Sequence, residues 1–381
     1  VDCIDVIRQN GVELMHVTME TNDSQAVNIT SLVDEIVIFY PRGATIFAAA
    51  CSIIFIFVGV IGNFLTMVAL TRYMKSTDNK TTAFVLSLCV SDLLFCAFNL
   101  PMIASRYINE AWVLGDLLCE LFPLFFYGNV AASLLSIMAI TINRYILISH
   151  NRFYEKVYRP RYIALMITFI WMFSFGILIP SFMGKWGRLG LDPPTFSCTI
   201  LRKDGKSPKK FLFLFGFLLP CIVILVCYSC ILYFVRKSRR NVQAHRSIGV
   251  TPTKPPKSPK KDEERLTRMI VIIFVCFILC FLPLMIVNVA DDHVVVPTLH
   301  VMASVLAWAA SVVNPFIYAA SNRQYRKAYR KLFEACFRGG KPRARPDHSM
   351  SIKTFTTEMH YNAPMGKLIY NDKRASPQEE D

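Results

Sequence analysis

The chain has 381 residues, 54% of them hydrophobic and 13% aromatic, with a formal net charge of +15. That apolar content, with a mean hydropathy of +0.39, is too high for two or three soluble domains and directs the reading to an integral membrane protein. The basic excess then reflects sidedness and anionic inner-leaflet lipid, and nucleic acid is not an expected partner.

Residues 1–43 form an acidic tail carrying two glycosylation sequons, at Asn22 and Asn28, and are expected outside the cell. No separate leader is visible, so the first span is expected to act as signal anchor. A helix crossing about 30 Å of hydrocarbon needs roughly 20 mostly apolar residues. Seven stretches meet that need: Ala44 to Leu70, Thr82 to Ile103, Leu117 to Ile142, Ile163 to Phe182, Phe211 to Val235, Met269 to Val289 and Pro297 to Ala320. The predicted fold is an all-α seven-transmembrane bundle over 44–320.

Ten of the 42 Lys and Arg residues fall on the tail side of this arrangement, and seven of those ten lie between Lys185 and Lys210. The remainder lie mostly in the other loops and after the last span. The bias puts the N-terminus outside and the chain at the plasma membrane as a multi-pass protein. Between the fifth and sixth spans, residues 238–262 are rich in Lys, Arg, Pro and Ser and read as a disordered cytoplasmic loop with helical extensions. Residues 322–338 alternate Tyr325, Tyr329, Phe333 and Phe337 with basic residues, the pattern of a short amphipathic helix at the membrane surface. Cys336 near its end reads either as a palmitoylation site or as an ordinary thiol. Residues 339–381 are polar and are assigned no fold.

Polar groups inside hydrocarbon cost at least about 2 to 3 kcal/mol each for the charged ones, so each asks for a reason. Asp92, Asn129, Ser133, Ser311 and Asn314 can surround a small hydrated cavity in which Na⁺ compensates the Asp92 charge; the other reading is a neutral Asp92 in a hydrogen-bond network. No other cofactor is expected. Cys119 and Arg144 are 25 residues apart, roughly 37 Å along a helix, so one lies at the outer mouth and the other at the inner face. Of the external cysteines Cys3, Cys119 and Cys198, the last two are paired here, tying the third span to the long external loop.

Gly62-Asn63, Leu88 with Ser91-Asp92, Asn143-Arg144-Tyr145, Trp171, Pro220 with Tyr228, Phe277 with Cys280-Phe281-Leu282-Pro283, and Asn314-Pro315-Phe316-Ile317-Tyr318 occur in order over about 290 residues. Together they resemble the signatures of rhodopsin-like (class A) G-protein-coupled receptors. Asn-Arg-Tyr at 143–145, Ile148-Ser149-His150 and the Tyr154 to Tyr158 segment are similar to the melatonin-receptor-like branch, most of all to arthropod trapped-in-endoderm and moody-type receptors.

The resemblance implies a non-enzymatic receptor that passes an extracellular signal to a heterotrimeric G protein, with roles in cell migration, polarity or barrier formation. It assigns Asn143, Arg144, Tyr145, Tyr228, Glu263, Asn314, Pro315 and Tyr318 to coupling and switching. Glu263 reads as the acidic partner of Arg144 at the foot of the sixth span or, alternatively, as a solvated loop charge. Ser349, Ser351, Thr354, Thr356 and Thr357 would accept phosphates that recruit arrestin.

Departures from the family pattern narrow the ligand. Gly216 and Ser181 stand where melatonin receptors carry His and Asn, and Phe126 stands where aminergic receptors carry Asp. Phe281 replaces the usual Trp. Ligand contacts are expected from Phe122, Phe126, Phe281, Met285, Asn288 and Trp308, for a small hydrophobic molecule, a lipid or a peptide. The rival reading is an ion-coupled transporter, against which no inverted repeat or pair of broken hydrophobic segments is found.

Overall fold

The computed structural model describes residues 4–9, 12–17, 40–73, 80–205, 207–247, 261–290 and 294–337. Seven helical segments are long and apolar enough to cross a membrane. They are α1 (Arg42–Tyr73), α2 (Thr81–Leu94) continued by α3 (Leu100–Asn109), α4 (Gly115–Ser149), α6 (Pro160–Gly176) continued by α7 (Ile179–Phe182), α8 (Lys209–Phe213) continued by α9 (Leu219–Ser247), α10 (Lys261–Ala290) and α11 (Pro297–Ser321). A short helix α5 (Asn151–Val157) follows the third span, and α12 (Arg323–Phe337) follows the seventh.

Proline explains why three of the spans are built in pieces. The second and fifth contain one π turn each, at Phe95–Asn99 and Leu214–Leu218, and Pro101 or Pro220 follows within two residues. A proline ring removes a donor and crowds the preceding turn, and a wider turn absorbs that crowding without ending the helix. The fourth span breaks between Gly176 and Ile179, just before Pro180. Pro283 and Pro315 sit inside uninterrupted helices.

The helices run past the hydropathy boundaries. α9 reaches Ser247 and α10 begins at Lys261, so much of the stretch expected as loop from 238 is helical. Asn22, Asn28, residues 248–260 and 339–381 lie outside the described residues.

Packing separates an inner from an outer face. Phe84, Leu88, Leu134, Ile137, Ile140, Ile224 and Met269 are fully buried, whereas Phe57, Leu165, Phe169, Met172 and Leu279 are more than half exposed on the bundle's perimeter. Such an apolar perimeter is what a lipid solvent requires. Small residues allow close approach: a Cβ on Gly59 would overlap Cys96 Sγ, and one on Gly128 would lie 2.7 Å from Phe175.

Two strand pairs were not anticipated. β1 (Ile4–Gln9) pairs antiparallel with β2 (Val12–Val17), and β3 (Arg188–Asp192) with β4 (Ser197–Leu201). Asn10-Gly11 between the first two strands is the dipeptide that two-residue hairpins favour, a signal available in the sequence.

Candidate functional site

At the outer end, Cys119 of α4 is bonded to Cys198 of β4, so the long external loop is fastened to the third span as the cysteine arithmetic predicted. Phe196 beside the hairpin lies 4.7 Å from Tyr40 and 5.7 Å from Tyr107 between ring centroids. Tyr107 reaches Trp308 at 5.9 Å, and Phe122 reaches Trp112 at 5.5 Å and Phe126 at 5.7 Å. Trp308 and Phe122 are buried and Phe126 is partly buried. The outer half therefore holds a packed aromatic cluster beside the hairpin. Phe281 and Met285 lie on α10, whose inward stripe is Phe277, Phe281, Leu284 and Val287. Asn288 corrects the expected ligand set: it is exposed, on the flank of that stripe, because the helical period carries it past the inward face.

At mid-depth, a void of about 10 Å³ is lined by Leu88, Asp92, Val130, Ser133, Phe277, Phe281, Ala310, Ser311 and Asn314. That is room for about one water-sized particle. Asp92 is 1% exposed. Its carboxylate accepts from Asn314 Nδ2 at 2.7 Å and from Ser133 Oγ at 3.3 Å, and Ser133 Oγ also donates to Ser91 Oγ at 3.0 Å. Asp92, Ser133 and Ser311 carry oxygens at this void, the donor type a hard monovalent cation such as Na⁺ takes, whereas Asn314 turns its Nδ2 to the carboxylate. Asn129 is the second correction. It is buried but does not line the void; Ser91 Oγ donates to its backbone carbonyl at 2.9 Å, while its side-chain amide has no hydrogen-bond partner among the described residues.

The seventh span is tied to the first by Asn63 Nδ2, which donates to Ser311 O at 2.9 Å and Gly59 O at 3.0 Å. Trp171 Nε1 donates to Ser87 Oγ at 3.1 Å, and Ser87 and Ser136 share a further bond of 3.1 Å, joining the second, third and fourth spans.

At the inner end Arg144 is 3% exposed, and its guanidinium donates to Thr81 Oγ1. Thr81 in turn donates to Asn143 Oδ1 at 2.7 Å, and Asn143 Nδ2 donates to Tyr154 Oη on α5 at 3.4 Å. Thr81, which motif reading did not single out, and Tyr154, read there only as part of the Tyr154 to Tyr158 segment, both join this cluster. Tyr158, just after α5, is 2% exposed, and burial pushes its phenol above the ordinary tyrosine range. Tyr145 lies partly buried beside His150, at 5.9 Å. Tyr228 accepts from Thr141 Oγ1 at 3.4 Å, and Tyr318 stacks on Tyr325 at 5.2 Å between centroids. Pro315 lies within α11, its ring 3.1 Å from where a Cβ on Gly62 would stand. Glu263 falls within α10, but its side chain lies outside the described residues.

Below the seventh span, Asn322 Oδ1 accepts the Gln324 amide at 2.8 Å and opens α12, and Arg326 donates to the carbonyls of Ala319 at 3.0 Å and Ala320 at 2.8 Å. Tyr329 Oη meets Thr66 Oγ1 at 2.8 Å, fastening α12 to α1. Cys336 is an exposed free thiol.

Residues 62–318 match the family model described as 7 transmembrane receptor (rhodopsin family). The chain is a member of the rhodopsin-like G-protein-coupled receptors. This receptor is 49% identical over 318 residues to protein trapped in endoderm-1 of Drosophila melanogaster, covering 80% of this chain and 81% of that protein. It is 37% identical to the G-protein coupled receptor moody of the same fly over 75% of its own length, and it spans about half of that longer relative. Melatonin receptor type 1A of Mus musculus is 30% identical, with 75% of this receptor and 80% of the relative covered. The crystal structure of squid rhodopsin shares the fold at a TM-score of 0.64 and 21% identity, covering 78% of this receptor and 87% of that chain. The receptor is thus a multi-pass membrane protein, and its family implies an extracellular ligand and a G protein inside.

Proposed function

We propose that this receptor sits in the plasma membrane with its N-terminus outside. A ligand with a largely apolar body engages the aromatic cluster beside the hairpin, and its contacts shift Phe281. The single observation carrying this reading is that Phe277 and Phe281 wall the same void as Asp92 and Asn314. The two rings lie 4.5 Å apart between centroids. A displaced ring therefore changes the space around the Asp92 carboxylate, and a bound Na⁺ would oppose that change by holding the void's oxygens together.

Movement of α10 about Pro283 and of α11 about Pro315 then opens the inner mouth, where Arg144, Tyr228 and Tyr318 meet the C-terminal helix of a G-protein α subunit. Phosphorylated Ser and Thr of the tail recruit arrestin in this scheme. The likeness to trapped in endoderm-1 supports a role in cell migration, polarity or barrier formation.

The test is capture of nucleotide-free heterotrimer. Purified receptor in lipid nanodiscs is mixed with a panel of heterotrimers and apyrase, which removes free nucleotide and traps even a minor active state. Stable complex with at least one heterotrimer, lost in Arg144→Ala, is the expected result. Equal capture by Arg144→Ala, with the variant folded, would overturn the assignment of Arg144.

A further inference from the structure

Seven of the ten Lys and Arg residues on the tail side lie between Lys185 and Lys210, against the bias that the rest of the chain follows. So many cations there need a reason of their own. Leu189 and Ile200 of the β3–β4 hairpin are buried with Leu178 at the end of the fourth span, and Leu212 at the start of the fifth packs against them. The hairpin is thereby seated over the junction of those two spans. Side chains alternate along a strand, so Arg188, next to Leu189, points away from the bundle and is exposed. Arg188 pairs with Leu201, and Arg202 and Lys203 follow directly. A Cβ on Gly187 would lie 2.8 Å from the Leu201 carbonyl oxygen and 2.9 Å from Pro208, so the chain closes tightly here and brings Lys209 and Lys210 to the same edge. Lys203 Nζ donates to Gly184 O at 2.9 Å, which adds Lys185. These six cations are all exposed, with Asp204 in their midst, while Asp192 lies at the far end of β3.

Beneath this edge the surface turns apolar. Trp186 lies 5.0 Å from Phe211, and Phe211 4.6 Å from Phe215, between centroids, so three rings descend from the cations along the fifth span. Phe211 and Phe215 are exposed, as are Phe182 and Met183 at the end of the fourth span. A cationic ridge above an exposed apolar strip complements an amphiphile, with an anionic head above and a hydrocarbon chain below. A soluble anion would use the ridge alone and leave the ladder of rings idle. Zwitterionic headgroups bring their own ammonium and leave the ridge uncompensated. A phosphate monoester carries a charge of about −1.5 to −2 near neutral pH and three acceptor oxygens, enough for several cations at once, and the forked guanidinium groups of Arg188 and Arg202 suit it.

We infer that the edge formed by Arg188 and Arg202, with the rings of Trp186, Phe211 and Phe215 below it, is a docking site for a lipid whose headgroup is a phosphate monoester. The site lies on the flank of the fourth and fifth spans, in a different packing cluster from Trp308 and Phe122, and it stands whether or not the ligand contacts proposed above are correct.

The experiment titrates full-length receptor in phosphatidylcholine nanodiscs with lysophosphatidate and with lysophosphatidylcholine, each carrying a photoreactive group in the same acyl chain. Crosslinked receptor is quantified, and the crosslinks are mapped by peptide mass spectrometry. Lysophosphatidate is expected to half-saturate at a concentration at least about thirtyfold below lysophosphatidylcholine, with crosslinks in residues 179–183 or 211–215. Each cation near an anionic headgroup is worth about fivefold, so Arg188→Gln with Arg202→Gln should raise the lysophosphatidate concentration about thirtyfold and leave lysophosphatidylcholine where it was. Arg188→Lys with Arg202→Lys keeps the charge and should stay within about threefold of the unaltered receptor. Equal half-saturation by the two lipids, an undiminished preference in the folded double Gln variant, or crosslinks confined to α12 overturns the inference. Inorganic phosphate or heparin competing at the lipid's own half-saturating concentration also overturns it, because a soluble anion would then need no chain.

Discussion

Asn314 Nδ2 donates to Asp92 Oδ2 at 2.7 Å, linking the seventh span to the second at a void that also touches Phe281. The bond leaves Ser133 as a weaker donor to the other carboxylate oxygen, at 3.3 Å. A cation in the void would draw these oxygens inward and stabilise this arrangement over any in which they separate.

Asp92→Asn is expected to remove the response of the receptor to sodium. Thermal unfolding in nanodiscs, with sodium exchanged for choline at constant ionic strength, checks this. At about five times the dissociation constant, sodium would add about 1 kcal/mol to the unaltered receptor and nothing to the variant. Equal stabilisation of both would locate the ion elsewhere or exclude it.

Gly59→Ala should destabilise the junction of the first and second spans, because the added methyl overlaps Cys96 Sγ. Overpacking of this kind costs about 1 to 3 kcal/mol. Cys96→Ala in the same chain vacates the overlap and should recover most of the loss. Unfolding temperatures of the single and double variants read this directly, and an undiminished loss in the double variant would point to another contact.

Seven spans, their order and the disulfide were legible because hydropathy sums over some 20 residues and cysteine pairing is constrained by sidedness. Rotation of each helix about its axis is not summed in that way. Ser133, Ser311 and Asn314 face Asp92, while Asn129 on the same helix as Ser133 turns its amide elsewhere and Asn288 ends exposed. Thr81 was missed for a different reason. A threonine at the foot of a span is unremarkable until the third helix brings Asn143 and Arg144 against it, 62 and 63 residues later in sequence.

Cys198→Ser should leave the β3–β4 hairpin without its covalent tether to α4. Loss of a native disulfide typically costs about 2 to 5 kcal/mol. Cell-surface expression is expected to fall sharply, and Cys119→Ser should match it, since either change breaks the same bond. Surface labelling of tagged receptor measures both.

Tyr329 anchors α12 through Thr66, and burial pushes its phenol from 10.0 up to about 12, with the Thr66 hydrogen bond opposing the rise. Because the docked phenol holds its proton more tightly than an undocked one, its contribution is complete below pH 10 and is lost as pH climbs toward 12. Hydrogen exchange of α12 should therefore be unaffected by this group between about pH 6 and 9. Tyr329→Phe keeps the ring and drops the bond, and is expected to speed exchange by a factor corresponding to about 0.5 to 1.5 kcal/mol. Identical exchange in the variant would show that the ring alone holds the helix.

Fastened at its start by Asn322 and Arg326 and along its length by Tyr329, α12 behaves as a short beam of about 22 Å whose far end cannot wander. With Tyr325, Ala328 and Leu332 turned into the bundle, the exposed Arg326, Lys327, Arg330 and Lys331 form a row of positive charge held at a fixed place beneath the seventh span, where anionic headgroups would meet it.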